Sequence, residues 1–364
     1  MKIKVDLGSR SYTIHIGEGH GREGILAGLG KALLTIGLEK KVKIALVTNP
    51  TVFPLYGGAV LSSLKAAGFD VAVITVPDGE KYKNLKWMES IYGEMLESKL
   101  ERGSCLVALG GGVIGDMTGF AASTYMRGIR FVQAPTTLLA QVDSSVGGKT
   151  GVNHPLGKNM VGTFWQPSMV WIDTATLKTL PPREFAAGMA EVIKYGVIKD
   201  KAFFKYLETR AKGIKGLDHA CLRHIIGRSC AIKARIVALD EREAGLRALL
   251  NYGHTIGHAL ETITGYKKYL HGEAVAIGMC AEAAVAEKKG LLAPGVRDRI
   301  KNLIALYGLP TEMPAKIDAG RMVDAMLVDK KVKDGRIRMA LPVAIGSAGM
   351  EAVTAEEVSL SLPA

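Results

Sequence analysis

The chain has 364 residues, of which 48% are hydrophobic and 23% are charged. This length exceeds the usual limit of a single hydrophobic core, so we expect two domains. The composition excludes a small disulfide-stapled scaffold and a disordered chain. No apolar run approaches the roughly 18 residues that a membrane-spanning helix needs, and the first residues lack the apolar core of a signal peptide. We therefore expect a cytoplasmic protein without a membrane partner.

Charge and cysteine content narrow the class of protein further. The formal net charge is +12, but the 47 Lys and Arg residues are spread along the chain without long blocks or interleaved aromatic residues, which disfavours a nucleic-acid-binding protein. A small anionic substrate and a solvated basic surface explain the same charge. The four cysteines form no CxxC pair, which favours neither a disulfide framework nor a thiolate zinc site. We interpret Cys105, Cys221, Cys230 and Cys280 as small core residues.

The first 180 residues have the pattern of an α/β domain. Alternating apolar residues predict an N-terminal hairpin, with strands near 3–7 and 12–16. Strands alternating with helices then indicate a parallel, doubly wound sheet of the Rossmann type. The further apolar runs that predict its strands lie at 43–48, 71–76, 105–109, 131–134 and 169–172.

After Pro181-Pro182 the pattern changes to long segments with the 3.6-residue period of helices. We therefore place the domain boundary near residue 180. This gives an α/β domain at 1–180 and an all-α domain at 181–364, apart from a possible short hairpin near 336–345. The cleft between the two domains is the expected ligand site.

A glycine cluster follows the predicted strand at 105–109. Residues 110–115 satisfy the pattern GxGxxG and open a predicted helix, where backbone N–H groups can hold a diphosphate. An ordinary Rossmann site would have an acidic residue about 20 positions later, and that region here holds Ala134-Pro135. Close packing of a glycine-rich turn is the alternative interpretation. Asp78-Gly79-Glu80, at the end of an earlier strand, is a second candidate for nucleotide contact.

The stretch 144–150 ends in GKT, as phosphate-binding loops of NTPases do. Such a loop needs glycine six residues before its lysine, and that position is Asp143, so we reject a P-loop NTPase. The segment that follows is polar and cationic, which favours a loop that holds a carboxylate or a phosphate. A mobile solvated loop is the alternative. The polar residues of this segment include Asn153, His154, Lys158 and Asn159.

A helix is predicted over 247–263. Its polar residues recur at spacings of four, three, four and three, which places them on one face of an otherwise apolar helix. Two imidazoles in such a stripe indicate a lined cavity. The residues of the stripe are Arg247, Asn251, His254, His258 and Glu261.

Three of the eight histidines, His254, His258 and His271, fall within 18 positions of one another. Neutral imidazoles with one carboxylate are typical zinc ligands, and a catalytic site uses three protein ligands. The carboxylate could come from Glu191, which lies beside Lys194 in another apolar helix. The alternatives are core histidines bonded to carbonyl groups and a plain Glu191–Lys194 ion pair.

Several long segments in this order resemble the 3-dehydroquinate synthase family of sugar-phosphate cyclases, and the resemblance covers about 40–345. The segments are 110–122, 127–162, 180–196, 250–261 and 271–279. The resemblance implies a carbon-oxygen lyase that depends on NAD+ and on Zn²⁺ or Co²⁺ and acts as a homodimer. It further implies that the α/β domain binds the dinucleotide and that the helical domain binds metal and substrate.

Carried over residue by residue, the resemblance places the metal ligands at Glu191, His254 and His271. Helical spacing alone would pair His254 with His258, whereas the resemblance gives His258 a role in substrate contact and proton transfer. Arg127 is implied to reach the active site of the neighbouring subunit. The other implied substrate-binding or catalytic residues are Asp143, Lys149, Asn159, Lys194, Lys233, Arg247, Asn251 and either Lys330 or Lys331.

The nucleotide contacts implied by the resemblance come from several short stretches. They are Asn49, Asp78, Gly79, Glu80, Lys81, Tyr82, Lys83, Gly112, Val113, Ile114, Gly115, Asp116, Thr136, Thr137, Asp143, Lys149, Lys158, Thr176, Leu177, Lys178 and Thr179.

The implied reaction converts 3-deoxy-D-arabino-heptulosonate 7-phosphate to 3-dehydroquinate and phosphate, in the shikimate pathway of aromatic amino acid biosynthesis. It proceeds through transient oxidation by NAD+, β-elimination of phosphate, reduction, ring opening and intramolecular aldol closure, with the metal as a Lewis acid. Another sugar-phosphate cyclase is one alternative. A metal-dependent polyol dehydrogenase is another, and it should lack the cluster of lysines for phosphate and carboxylate.

Overall fold

The computed structural model divides into two compact units. The first consists of Met1–Leu180 and Leu222–Ala238, and the second consists of Pro181–Cys221 and Leu239–Ala364. The segment Leu222–Ala238 thus groups with the first unit, whereas the sequence analysis placed it in the second domain. The structure describes residues 1–18, 25–315, 317–328, 332–333 and 336–359.

The chain alternates between strands and helices up to residue 173 and is mainly helical afterwards. The strands are β1 (Lys2–Val5), β2 (Tyr12–Gly17), β3 (Lys43–Thr48), β4 (Asp70–Thr75), β5 (Cys105–Gly110), β6 (Arg130–Pro135), β7 (Lys149–His154), β8 (Gly157–Phe164), β9 (Met169–Asp173), β10 (Val332–Lys333), β11 (Arg336–Ala344) and β12 (Ser347–Val353). The helices are α1 (Leu29–Thr35), α2 (Gly58–Ala66), α3 (Leu85–Glu97), α4 (Gly112–Thr124), α5 (Pro182–Lys199), α6 (Lys201–Thr209), α7 (Ala211–Lys215), α8 (His219–Leu239), α9 (His254–Ile263), α10 (His271–Lys288), α11 (Val296–Leu306), α12 (Ala319–Val328) and α13 (Ala355–Ser359).

The first unit is built on a seven-stranded sheet with the order β1-β2-β9-β6-β5-β3-β4. β1 pairs antiparallel with β2, and the other neighbours are parallel, which confirms the predicted hairpin and the doubly wound sheet. Ile44 and Leu46 of β3 belong to a core on one face of the sheet, and Ala45 and Val47 belong to a core on the other. Burial on both faces explains why these strands are continuous apolar runs.

The segment predicted as a loop after Thr150, through Asn159, largely forms the antiparallel hairpin β7–β8, so the loop prediction was wrong. Gly151 lies opposite Gly162 in this hairpin, and a Cβ atom on Gly151 would lie 2.5 Å from the Val161 carbonyl oxygen. The hydroxyl groups of Thr150 and Thr163 meet across the strands at 2.9 Å. Polar and glycine residues therefore build this hairpin, and they leave little of the apolar alternation by which strands are recognised.

In the second unit, α10 lies close to both α5 and α9. A Cβ atom on Gly272 would lie 1.9 Å from the Ala187 carbonyl oxygen, and one on Gly278 would lie 2.0 Å from the Gly253 carbonyl oxygen. Only glycine permits such close contact at these two positions. The unit also contains the small sheet β10-β11-β12, in which the predicted hairpin stretch 336–345 forms β11 and the start of the turn that leads to β12.

The helix predicted over 247–263 is interrupted. Leu246–Asn251 forms a 3-10 helix, Gly253 has a φ of +82°, and α9 begins only at His254. His254, His258 and Glu261 keep the predicted helical spacing on α9, but the extension of one stripe to Arg247 was wrong. The left-handed conformation of Gly253 explains the interruption, because it ends one helical segment before the next begins.

Two further expectations concern the cysteines and the membrane. Each of the four cysteines is buried and forms no disulfide bond, which confirms their interpretation as core residues. Among the described helices, none combines the length and the apolar character that spanning a bilayer requires. The cytoplasmic location stays a prediction.

Candidate active site

Helices α5, α9 and α10 bring the three predicted metal ligands together in the second unit. The Oε1 atom of Glu191 lies 3.4 Å from Nε2 of His254 and 3.7 Å from Nε2 of His271. The two imidazole rings have centroids 5.3 Å apart. Glu191 is only 1% exposed, so its carboxylate points into the protein and not into solvent.

The Nδ1 atom of each imidazole has its own hydrogen-bond partner. Nδ1 of His254 lies 3.1 Å from the carbonyl oxygen of Tyr252, and Nδ1 of His271 lies 3.2 Å from Oε2 of Glu261. Donation from Nδ1 leaves the lone pair on Nε2, the atom that faces Glu191 in both residues. Glu261 belongs to the predicted polar stripe, but its contact with His271 does not follow from the spacing of the stripe.

Burial, followed by the positive charge of Lys194, lowers the pKa of His254 to about 4, although Glu191 acts in the opposite direction. His254 is therefore a neutral imidazole at neutral pH, which is the form that binds metal. The Nε2 atoms of two imidazoles and one buried carboxylate match the three protein ligands of a catalytic zinc site. The residues present therefore fit the metal that the resemblance implies.

His258 lies in the same cluster. Its ring centroid is 5.3 Å from that of His254 and 5.8 Å from that of His271. One nitrogen atom from each of the three rings lies within 4.8 Å of the others, so three imidazoles could also hold a metal ion. The geometry thus permits either Glu191 or His258 as the third ligand beside His254 and His271.

Lys194 is buried one turn after Glu191 and forms an ion pair with it. The ion pair that the sequence analysis considered as an alternative therefore exists beside the imidazole cluster. Because Lys194 adds a positive charge next to a candidate metal site, it suits an anionic substrate group there.

Residues of the loop before the 3-10 helix hold Arg247 and Asn251. The Arg247 backbone N–H donates to Asp240 at 2.9 Å, and its guanidinium donates to the Glu241 carbonyl oxygen at 2.5 Å. The Asn251 side-chain amide donates to Oε1 of Glu243 at 2.8 Å. Sequence reasoning missed Asp240 and Glu243, because a loop has no periodicity that could single them out.

In the first unit, the predicted nucleotide stretches share one edge of the sheet. The carboxyl ends of parallel strands lie at the same edge, which is where α/β sheets bind ligands. The stretches are Asn49 after β3, 78–83 after β4, 112–116 after β5, Thr136-Thr137 after β6 and 176–179 after β9.

Hydrogen bonds hold several of these stretches at this edge. The side-chain amide of Asn49 donates to Oδ1 of Asp78 at 3.2 Å. The Tyr56 hydroxyl contacts the carbonyl oxygen of Thr176 at 3.2 Å and the hydroxyl of Thr179. Tyr56 lies between the end of β3 and α2 and belongs to no recognised motif, so its position at this edge was not predicted.

The glycine-rich turn serves close packing as well as helix initiation. A Cβ atom on Gly115 would lie 2.6 Å from Oε1 of Gln133, and one on Gly112 would lie 3.0 Å from the Ser144 hydroxyl. Gly112 is also the first residue of α4, whose first-turn N–H groups have no acceptor within the helix. The packing interpretation and the nucleotide interpretation are therefore compatible.

Lys83 connects a nucleotide stretch to a predicted substrate residue. Its ammonium lies 2.6 Å from Oδ2 of Asp116 and 2.5 Å from the side-chain oxygen of Asn159. Burial raises the pKa of Asp116, although the nearby Lys83 acts to lower it. In the same unit, the ammonium of Lys233 lies 2.8 Å from a carboxylate oxygen of Asp143, which pairs two further predicted site residues.

The remaining predicted site residues lie on β7, on β8, on an exposed turn or outside the described residues. Lys149 begins β7, and Lys158 lies on β8. Arg127 is exposed on the turn between α4 and β6, with a φ of +68°. Lys330 and Lys331 lie outside the described residues.

Models for two protein families match adjacent parts of the chain. They are described as 3-dehydroquinate synthase N-terminal, which matches 73–187, and 3-dehydroquinate synthase C-terminal, which matches 188–332. A curated protein from Thermodesulfovibrio yellowstonii, named 3-dehydroquinate synthase, is 55% identical over 345 residues. This alignment covers 95% of the present chain and 94% of the relative.

Solved structures of sugar-phosphate cyclases share the fold, which confirms the expected fold class. A 2-epi-5-epi-valiolone synthase from Streptomyces hygroscopicus with NAD+ and Zn²⁺ bound has a TM-score of 0.87 at 28% identity, covering 96% of this chain and 95% of that chain. A 2-deoxy-scyllo-inosose synthase in complex with carbaglucose-6-phosphate, NAD+ and Co²⁺ has a TM-score of 0.88 at 24% identity, covering 99% and 98%. From the family models and the curated relative, we conclude that the chain belongs to the 3-dehydroquinate synthase family.

Proposed function

We propose that the chain catalyses the conversion of 3-deoxy-D-arabino-heptulosonate 7-phosphate to 3-dehydroquinate and phosphate, with NAD+ and a divalent metal as cofactors. The observation that supports this activity most is the buried group of Glu191, His254 and His271, with both Nε2 atoms facing one carboxylate. The relative that is 55% identical over nearly the whole chain bears the name of this activity.

Glu191, His254 and His271 would hold the metal, which as a Lewis acid would lower the pKa of a bound substrate hydroxyl. Glu261 and the Tyr252 carbonyl hold the two imidazoles in the tautomer that exposes Nε2. His258, next to both rings, would accept or return the proton of the substrate hydroxyl.

The stretches along the carboxyl edge of the sheet would hold NAD+, which when bound takes a hydride from the substrate and returns it later. Lys83 keeps Asp116 and Asn159 together at this edge. The substrate carries a carboxylate and a phosphate, and the predicted cationic residues suit these groups. Those cationic residues are Lys149, Lys194, Lys233 and Arg247.

The requirement for NAD+ separates this proposal from a polyol dehydrogenase. We expect phosphate release to continue over many turnovers per molecule of NAD+, without accumulation of NADH, because the hydride is returned within the catalytic cycle. Phosphate release and NADH absorbance, followed together at substoichiometric NAD+, measure this. One NADH formed per phosphate released would refute the cyclase activity. Equal turnover of a sugar phosphate that lacks the carboxylate would favour another cyclase.

We also propose that the protein acts as a homodimer in which Arg127 completes the partner's active site. The exposed position of Arg127, with Met126 and Arg127 both at positive φ, supports this role. Such a backbone is unfavourable for these residue types and is typically retained where a side chain must be presented in one direction.

Mixed dimers test this role of Arg127. We expect the Arg127→Ala and His271→Ala proteins to be inactive alone, and a heterodimer of the two to regain activity. If Arg127 acts on the partner, one of the two sites in the heterodimer carries neither substitution. Co-expression with two affinity tags, followed by activity measurement on the isolated heterodimer, decides the matter. An inactive heterodimer would show that Arg127 serves its own subunit, whereas full activity of the Arg127→Ala protein alone would show that it has no role.

A further inference from the structure

Helix α10 contains a fully buried carboxylate to which the proposed chemistry assigns no role. Glu282 is 0% exposed and lies three turns after His271, the first residue of the same helix. Burying a carboxylate is costly unless hydrogen bonds satisfy its oxygen atoms. The partners of Glu282 therefore indicate what the residue does.

Both oxygen atoms of Glu282 accept backbone N–H groups at the beginning of α9. Oε2 accepts the N–H of Gly253 at 2.6 Å, and Oε1 accepts the N–H of Ile256 at 3.2 Å. The first N–H groups of a helix have no acceptor within the helix, and a side chain at the N-cap position usually supplies one. Here that position is Gly253, which has no side chain, so Glu282 supplies the acceptor from another helix.

The two N–H groups flank His254, one of the proposed metal ligands. A further bond holds the same turn, since the hydroxyl of Tyr252 donates to the Met279 carbonyl oxygen of α10 at 2.8 Å. The carbonyl group of Tyr252 in turn contacts Nδ1 of His254 at 3.1 Å. Helix α10 therefore carries His271 itself and fixes the backbone on both sides of His254.

We infer that Glu282 is a positioning residue for the metal site. By holding the first turn of α9, it sets the direction of the His254 imidazole relative to His271, without touching the metal. The inference rests on the proposed metal site. It adds that the affinity of the site depends on a carboxylate that is not a ligand, as partners of ligands often do.

The metal affinity of the metal-free full-length protein tests this inference independently of catalysis. The protein is freed of metal with a chelator and titrated with Co²⁺ against a competing chelator, while the visible absorption of bound Co²⁺ reports its ligand geometry. We expect Glu282→Gln to weaken Co²⁺ binding by about 10- to 100-fold and to change this absorption. Glutamine keeps the size of the side chain but offers an N–H donor to one of the two N–H groups.

Val285→Ala is the matched control. Val285 is 1% exposed on the same helix, so its truncation should lower the melting temperature while Co²⁺ affinity stays unchanged. Should Glu282→Gln not fold, Tyr252→Phe removes the other anchor of the turn at nearly constant volume, and it should also weaken Co²⁺ binding.

Two outcomes are decisive. Wild-type Co²⁺ affinity in folded Glu282→Gln, or in Tyr252→Phe if the former does not fold, would overturn the positioning role. His271→Ala is measured in parallel, because normal Co²⁺ binding by that variant would instead refute the proposed metal site. The two failures are thereby distinguished.

Discussion

Replacing His271 by alanine is expected to remove the bound metal and abolish turnover. A catalytic metal held by three protein ligands loses most of its affinity when one of them is removed. His271 is held firmly at the proposed metal site, since its Nε2 lies 3.7 Å from Glu191 and its Nδ1 is held by Glu261. Metal analysis of the purified variant, together with an activity assay at saturating Zn²⁺ and Co²⁺, measures both effects.

His15→Ala is a suitable control for this prediction. His15 packs against Trp171 in the first unit, with the two rings tilted and their centroids 4.8 Å apart, so its replacement should leave metal content and turnover unchanged. Full metal occupancy in His271→Ala would contradict the ligand assignment. Glu191→Gln then identifies the third ligand: loss of metal in this variant, with retention in His258→Ala, would favour Glu191 over the set of three imidazoles.

Replacing His258 by alanine should have a different effect. We expect the variant to bind metal and NAD+ normally while turnover falls by roughly 10² to 10⁴, the usual contribution of a general acid or base. The ring of His258 lies beside both proposed ligand rings, at 5.3 Å and 5.8 Å, which suits a residue that would exchange a proton with a substrate hydroxyl at this site. Steady-state kinetics, metal analysis and NAD+ titration on the same preparation separate the three properties.

Thr262→Ala provides a control on the same helix for His258→Ala. Thr262 is exposed one turn after His258, and its hydroxyl donates to the His258 carbonyl oxygen, so its loss perturbs α9 without removing an imidazole. This control should retain wild-type turnover. Loss of metal in His258→Ala would make His258 a ligand, and unchanged turnover would make it a packing residue.

Local patterns were sufficient to predict the sheet but not the interruption before α9. The strands of the parallel sheet are buried on both faces, so they appear in the sequence as short apolar runs. The helical spacing of 247–263, by contrast, continues through Gly253, where the structure changes direction. The start of α9 is stabilised by Glu282, which lies 29 positions after Gly253. A periodicity within one segment contains no information about such a partner.

The same distinction applies to the candidate site. Spacing and residue type identified the imidazoles, and the resemblance selected Glu191 and His271 as ligands. Neither predicted that Glu261 would hold His271, or that Lys83 would join Asp116 and Asn159, which lie 33 and 76 positions away. Periodicity shows which face of an element is buried, but the contacts of that face depend on how separate elements pack.

The path of the chain has a consequence for synthesis on the ribosome. The first unit is not complete at Leu180, because it includes Leu222–Ala238, most of α8. Ile226 and Cys230 of this helix are fully buried, and Lys233 contacts Asp143. Until residue 238 has emerged, the nascent first unit lacks this part of its core, and the intervening helical residues 181–221 must already be present. We therefore expect this unit to finish folding only after part of the second unit has been made, unlike domains that fold strictly in chain order.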